Sequence, residues 1–260
     1  MSRKSKDGCL PVTVIGETCQ DVYVYGRCSR LCPEAPVPIF VKEIEHSNAG
    51  MAGNVVANLR ALGVEAELCT HPETIRKTRL VERSSNHMFL RVDEDVKVMP
   101  FSALKRYPPT KDGVAVISDY GKGFLTEKDI MAIGDSARIT FVDTKKKLGP
   151  WVDHVDFVKI NEAEYQATAA EAEPYQDKLI VTLGERGCLF QGRLYPAVPT
   201  EVIDIAGAGD TFLAALAARW VWNLKRTDRG HIEECLGFAN KCAGQVISLR
   251  GVSVVRNLHA

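Results

Sequence analysis

The chain has 260 residues, room for one large α/β domain or two small ones, and its 45% hydrophobic residues are enough for a sizeable core. Basic and acidic residues number 33 each, so the formal net charge is zero, and with no long basic run neither nucleic acid nor a membrane surface has electrostatic support as a partner. No apolar run is long enough to span a bilayer, Met1–Asp7 is too polar for a signal peptide, and eight scattered cysteines without a Cys-x-x-Cys pair read as thiols of a reducing cytoplasm rather than a zinc site.

In chain order, Leu10–Gly16 is a short apolar run closed by glycine, which predicts a buried strand. Asp21 follows, ahead of an alternating stretch, Val22–Tyr25. A carboxylate just past a first strand stands at the C-terminal edge of a parallel sheet, where such sheets bind ligands, and it can accept hydrogen bonds from sugar hydroxyls. A plain turn aspartate fits equally well. Arg27–Pro38 is rich in Pro and Cys, and Val37–Glu45 alternates apolar and polar, as in a strand with one exposed face. This predicts a small lid sheet whose apolar face calls for a partner, such as a second copy of the chain.

Ser47–Asn54 leads into a helix over Val55–Leu62, with Gly63 as its C-terminal cap. Gly50 and Gly53 allow backbone to approach a ligand, and Asn54, in the first turns, is a better ligand candidate than Asn58 on the same face. A glycine-rich helix entry is the alternative. Val64–Cys69, Thr74–Ser84 and Met88–Val92 read as strands, and the last two carry Arg76, Lys77, Arg79, Arg83 and Arg91. A phosphorylated substrate would want such cations, although most single arginines are only solvated.

From Gly113 the pattern turns into βα repeats. Val114–Ser118 is a strand ending at Asp119-Tyr120-Gly121-Lys122-Gly123, and Thr126 caps a helix to Ser136. Strands Ile139–Val142, Val155–Ile160 and Lys178–Leu183 follow, with Asn161 opening a helix. Asp119, Asp143, Asn161 and Thr182 would then line one edge of a parallel sheet flanked by helices. Leu194–Ile203 reads as extended and turn-rich, Phe212–Trp222 as a buried Ala-rich helix, and Ile232–Leu249 as an amphipathic helix with Asn240 and a small-residue patch at Ala243 and Gly244. That patch suits a flat adenine or close helix packing.

The chain is organised around Asp204-Ile205-Ala206-Gly207-Ala208-Gly209-Asp210-Thr211, where extended chain becomes helix. The glycines permit a tight turn, and the first helical N–H groups and the helix dipole favour an anion. Asp210 placed there can take a proton from a hydroxyl while the N–H groups hold phosphoryl charge. A helix-capping aspartate in a glycine-rich turn is the competing reading.

Gly50–Asn54, Asn161-x-x-Glu164, Thr182-x-Gly184-x-x-Gly187 and Gly207-Ala208-Gly209-Asp210 occur in the order seen in ribokinase-family carbohydrate kinases, and the resemblance covers about residues 10–255. Two more specific stretches, Tyr25-Gly26-x-x-Ser29-Arg30-x-x-Pro33-Glu34-Ala35-Pro36-Val37-Pro38 and Ser118-Asp119-Tyr120-Gly121-Lys122-Gly123, resemble D-glycero-D-manno-heptose 7-phosphate kinases. The resemblance implies a ribokinase-like three-layer α/β fold with a mostly parallel central sheet and a small β-sheet lid, in one kinase domain over residues 10–255 with lid segments at about 21–46 and 74–93. It implies a cytoplasmic, ATP-dependent kinase acting on the anomeric hydroxyl of a heptose 7-phosphate in ADP-heptose synthesis, as a homodimer joined through the lid. Asp210 would be the base, and Gly207, Ala208 and Gly209 the anion hole. Asp21, Gly50, Gly53, Asn54 and Asp119 would face the sugar, and Arg30, Arg79, Arg91 and Lys122 are candidates for its phosphate. Asn161, Glu162, Ala163, Glu164, Thr182, Gly184, Gly187 and Asn240 would border ATP, with Asn161 and Glu164 organising Mg²⁺ through water and Asp204 beside a monovalent cation.

The chain departs from the pattern at Ala206, where these kinases usually have Thr, and between Thr70 and Thr74, where a helix and a strand are missing. The stretch from Glu164 to Lys178 is also short, and no cytidylyltransferase-like domain follows Ala260. Two other readings remain: a kinase of another sugar or sugar phosphate, and a non-catalytic binder of sugar phosphate or nucleotide on a trimmed scaffold.

Overall fold

A computed structural model describes residues 10–94, 96–104, 113–223 and 229–256. The elements run β1 (Val12–Gly16), β2 (Thr18–Leu31), β3 (Pro38–Met51), α1 (Ala52–Ala61), β4 (Ala66–Cys69), β5 (Ile75–Glu82), β6 (Met88–Asp93), β7 (Val114–Asp119), α2 (Glu127–Ser136) and β8 (Ile139–Thr144). They continue as β9 (Phe157–Asn161), α3 (Glu162–Ala167), α4 (Ala169–Ala172), β10 (Leu179–Thr182), β11 (Cys188–Phe190), β12 (Arg193–Tyr195), α5 (Ala208–Trp222) and α6 (Arg229–Ile247).

The main sheet has eight strands in the order β12-β11-β10-β9-β8-β7-β1-β4. β4, β1, β7, β8, β9 and β10 are parallel, and β11 and β12 pair antiparallel at one edge. Successive side chains of a strand point to opposite faces, and here both faces are buried. Val12, Val14, Val114 and Val116 pack with α1, α5 and α6, whereas Ile15, Ala115 and Ile117 pack with Ile130 and Ile133 of α2 and with Trp151. Helices on both faces make three layers, which is why these strands read as continuous apolar runs. The Ala-rich sequence of α5 lets it touch both α1 and α6, with Phe212–Ala218 buried.

β3, β2, β5 and β6 form a separate four-stranded sheet, the lid. β2 and β3 are 14 residues each, and their far ends and all six residues of β6 are exposed. Leu31, Val37, Val41, Met88, Phe89, Leu90 and Val92 present apolar surface there. No helix among the described residues is long and apolar enough to cross a membrane.

Two local features differ from the sequence pattern, and a third follows it. β3 runs on through Gly50 to Met51, so α1 starts at Ala52 rather than Val55. Met51 makes that junction at φ 57° and ψ −134°, a region that costs a side chain strain, while its own side chain is buried. A β11–β12 hairpin occupies what reads as turn and extended chain. Its Gln191-Gly192 turn has both φ values positive, the twist a two-residue hairpin needs. The short passage from Thr70 to Thr74 leads β4 straight into the lid strand β5, leaving β4 as the outer strand of the main sheet.

Candidate active site

Gly207 turns the chain into α5 at φ 80°, and a Cβ there would meet Asn54 Nδ2 at 2.7 Å. The approach loop is held by Asp204, whose carboxylate accepts the N–H groups of Ala206 at 2.9 Å and Gly251 at 3.0 Å. Ala208 N–H is taken by Ile205 C=O at 3.3 Å and Thr211 N–H by Gly207 C=O, so of the predicted anion hole Gly207–Gly209 it is Gly209, joined by Asp210, whose amides stand at the positive end of the helix. Asp210 is buried in this first turn. Its Oδ1 accepts the Tyr120 hydroxyl at 2.7 Å and its Oδ2 accepts Asn54 Nδ2 at 3.2 Å. Burial raises the Asp210 pKa to about 6, against the lowering effect of those two hydrogen bonds; Asp143 adds to the rise and Lys159 opposes it. A carboxylate tuned close to neutrality and held by two donors is suited to take a proton from a hydroxyl.

The predicted sugar-side residues gather on this side of α5. Asn54 is oriented by Asn58, which donates Nδ2 to Asn54 Oδ1 at 3.0 Å and accepts Val255 N–H at 3.0 Å. Gly50 is backed against Asp21, whose Oδ2 would lie 2.0 Å from an added Cβ, and Gly53 lies in the first turn of α1. Asp21 is buried and ion-paired with Arg79, which stacks over Tyr23 at 4.9 Å. Asp119 is buried and fully engaged: Oδ2 accepts Thr144 Oγ1 at 2.5 Å and Lys146 Nζ at 2.9 Å, and Oδ1 accepts Gly121 N–H at 3.1 Å. It shapes the loop after β7 instead of presenting an open carboxylate.

The four phosphate candidates are not brought together. Arg79 is paired with Asp21, and Arg91 makes a two-pronged pair with Asp93 at 2.6 and 2.7 Å. Arg30 is exposed near the far end of the lid, and the Lys122 backbone N–H bonds to Glu17. Alternation along a strand leaves pairing partners unspecified, and here local acids claim the cations. A cavity of about 580 Å³ between lid and body is lined instead by Arg83, Arg250, His46, Tyr23, Tyr25 and Asn54.

Across the N-terminus of α5 lies a cavity of about 870 Å³ at the C-terminal ends of β9 and β10. Asn161, Thr182, Gly184, Gly187 and Asn240 line it, with Ala208 and Gly209 at its inner end and Ala243 and Gly244 on the α6 wall. Asn240 is fixed by donating to Tyr195 C=O at 2.8 Å. Asn161 and Glu164 form a capping box for α3, each side chain accepting the other's N–H at 2.8 Å, and Glu164 also pairs with Lys145. Glu162 pairs with Arg186 at 2.6 Å, and Ala163 lies beside it in the first turn of α3. No group of three or more His, Cys, Asp or Glu side chains among the described residues could cage a metal. Mg²⁺ commonly takes one or two protein carboxylates, substrate phosphates and water. Asn161 lines the cavity and Glu164 does not, with both Glu164 oxygens engaged by Asn161 N–H and Lys145, so an outer role through water is the one these two residues leave open.

Four residues that matter to this geometry escape sequence reading as site residues. Tyr120 reaches Asp210, and Asn58 sets Asn54. Glu17, fully buried, accepts the N–H groups of Tyr120, Lys122 and Phe124 at 2.8, 2.9 and 3.3 Å and so clamps the loop carrying Tyr120. Lys159 is buried on β9 and bonds Asp143 Oδ2 at 2.6 Å beside Gly209. A lysine inside the apolar run 157–160 is the one signal that could have marked it.

Comparison with known proteins places these features in context. Residues 131–257 match the model of the pfkB family of carbohydrate kinases. A protein of Azorhizobium caulinodans named bifunctional protein HldE is 30% identical over 94% of this chain and 62% of its own length. The bifunctional protein HldE of Helicobacter pylori strain HPAG1 is 29% identical over 92% of this chain and 63% of its own. The chain thus spans less than two thirds of the length of these relatives. Among solved structures, the Methanocaldococcus jannaschii nucleoside kinase, an archaeal member of the ribokinase family, superposes with TM-score 0.67 at 16% identity, covering 94% of each chain. Escherichia coli phosphofructokinase-2 in complex with potassium gives 0.68 at 13% identity, covering 95% of this chain and 96% of its own. At such identities the likeness is one of fold.

Proposed function

We propose, from the match of residues 131–257 to the pfkB family of carbohydrate kinases and from the ribokinase-like fold, that the chain transfers the γ-phosphoryl group of ATP to a sugar hydroxyl held at Asp210. The observation that carries the reading is the buried Asp210 carboxylate, with its pKa near 6, at the N-terminus of α5 beside a cavity large enough for a nucleotide. The acceptor hydroxyl gives its proton to Asp210, and its oxygen forms the new bond to the γ-phosphorus. The bond from phosphorus to the β–γ bridging oxygen breaks, and its electron pair leaves with ADP. Gly209 and Asp210 N–H groups oppose the charge that spreads over the phosphoryl oxygens. Thr182, Gly184, Gly187 and Asn240 border the nucleotide. Asn161 and Glu164 would hold Mg²⁺ through water, and the ion's chemistry is to neutralise phosphate charge.

The proposed acceptor is D-glycero-D-manno-heptose 7-phosphate, phosphorylated at its anomeric hydroxyl. The lid stretch from Tyr25 to Pro38, the stretch Ser118–Gly123 and the HldE relatives support this choice. Asp21, Gly50, Gly53 and Asn54 would contact the sugar, and a second copy of the chain would cover the apolar lid. Domain limits of 10–255, a cytoplasmic setting and a monovalent cation near Asp204 belong to the same reading. The test is phosphorus NMR of Mg·ATP with the heptose phosphate. A new anomeric phosphate signal, absent with Asp210→Asn, is expected. ADP formed only with another sugar phosphate would discard the heptose, and no transfer to any sugar would discard the kinase.

A further inference from the structure

Lys159 carries more than a structural role explains. Its side chain is 7% exposed and lies on a central strand, yet it bears a charge whose transfer from water is costly. Asp143 Oδ2, 2.6 Å away, is its partner, and such buried pairs are seldom more stable than apolar residues of the same volume. The ammonium sits at the positive end of α5, where its charge and the helix dipole together favour an anion in the cavity. A Cβ at Gly209 would lie 2.9 Å from Lys159 Nζ and 4.0 Å from Asp143 Oδ2, so the ammonium is against the helix N-terminus and glycine keeps the approach open. Lys159 also lines the 870 Å³ cavity together with Asn161, Ala208 and Gly209.

We propose that Lys159 is a further catalytic residue, whose ammonium group binds the oxygens of the phosphoryl group as it crosses the N-terminus of α5. The inference rests on the kinase reading above. One Nζ–H is directed to Asp143, which holds the ammonium in place, and the other two are donors for the phosphoryl oxygens. Lys159 neither gives nor takes a proton. The bonds made and broken are those of the transfer itself, and the ammonium opposes the charge on the oxygens around phosphorus while the pair of electrons leaves with ADP. The sequence signal is one lysine in a strand whose neighbours are apolar, two residues ahead of Asn161.

The test compares the parent chain with two variants, Asp143→Asn/Lys159→Met, which removes the pair together, and Lys159→Gln, whose amide can still donate to Asp143. Folding is checked by circular dichroism melting. Calorimetric titration with Mg²⁺ then gives Kd for ADP and for adenylyl imidodiphosphate, whose γ-phosphate is not transferred. The parent is expected to prefer the triphosphate analogue by about tenfold, as a charge-assisted contact to the γ-phosphate implies. The folded variants should lose that preference while their ADP affinity changes by less than about threefold, and kcat should fall about 100-fold, the order seen for loss of one donor to developing charge. A folded variant that retains the parent's preference and kcat overturns the role of Lys159 and leaves the kinase reading standing. A parent that binds neither nucleotide overturns both.

Discussion

In the proposed reaction Asp210 has to be a carboxylate at the moment it accepts a proton, and its surroundings set the pH at which that holds. With a pKa near 6, the base is lost as pH falls below about 6, so kcat should decline on the acid side. Tyr120 supplies one of the two side-chain donors that favour the ionised form. Tyr120→Phe should therefore move the acid limb of the kcat–pH profile upward by about one unit, a shift absent if Tyr120 merely fills space. The sign for stability runs the other way. A folded pKa raised above the ordinary 3.8 makes the native state bind more protons, so Asp210 costs stability above about pH 6 and ceases to do so below about pH 4. On the proposed reading, the site keeps a destabilising charge at working pH because the chemistry needs it. At this scale the placement of Asp210 and the glycines at the head of α5, and of Asn54 in the first turn of α1, was legible from glycine at the helix entries, although a helix-capping aspartate would read the same. Tyr120, Asn58 and Lys159 were not, because a tyrosine, an asparagine or a lysine takes its meaning from what it touches.

The loop after β7 shows how one element fixes another. Glu17, between β1 and β2, holds three backbone N–H groups of residues 120–124 although 103 or more positions separate them in the chain. In Glu17→Gln the amide oxygen can serve some of these donors, but the NH₂ opposes the rest and the charge is gone. Urea unfolding should show a loss of about 2 kcal/mol, the size of a hydrogen bond to a charged group, and kcat should fall because Tyr120 loses its anchor. Substitution effects confined to kcat with unchanged stability would refute the clamp. Most elements were readable from period and caps. Thr126 and Asp129 form the capping box that the sequence announces, and the apolar runs at 114–119 and 139–144 are buried strands. The β11–β12 hairpin was missed because Gln-Gly is a weak turn signal and three-residue strands have too little pattern to detect. The start of α1 was misplaced because Met51, not a glycine, holds the positive φ at the junction.

For the molecule as a whole, the lid is a part whose apolar side chains stand exposed. β6 is exposed along its whole length and carries Met88, Phe89, Leu90 and Val92, with Leu31, Val37 and Val41 at the far ends of the lid. Leu90 and Val92 share one face of β6, and exposed apolar surface of this kind is typical of an interface. Sedimentation velocity at micromolar concentration is expected to show a dimer, and Phe89→Asp/Leu90→Asp a monomer with an unchanged main sheet by circular dichroism. A monomeric parent would remove the second copy from the proposal. The three-layer body needs no such partner, since the helices cover both faces of its parallel strands.

By itself, the sequence determined the alternation of strand and helix, the edge of the sheet where the candidate residues stand, and the acid at the head of α5. Those are consequences of local period, glycine placement and helix termini, which act within a few residues. Only the tertiary structure decided which charges meet. It paired Arg79 with Asp21 and Arg91 with Asp93, turned Asp119 toward Thr144 and Lys146, and set Tyr120 and Asn54 on Asp210. The physical reason is that a buried charge or donor must find a partner in three dimensions, and that partner can lie 156 residues away, as Asn54 does from Asp210.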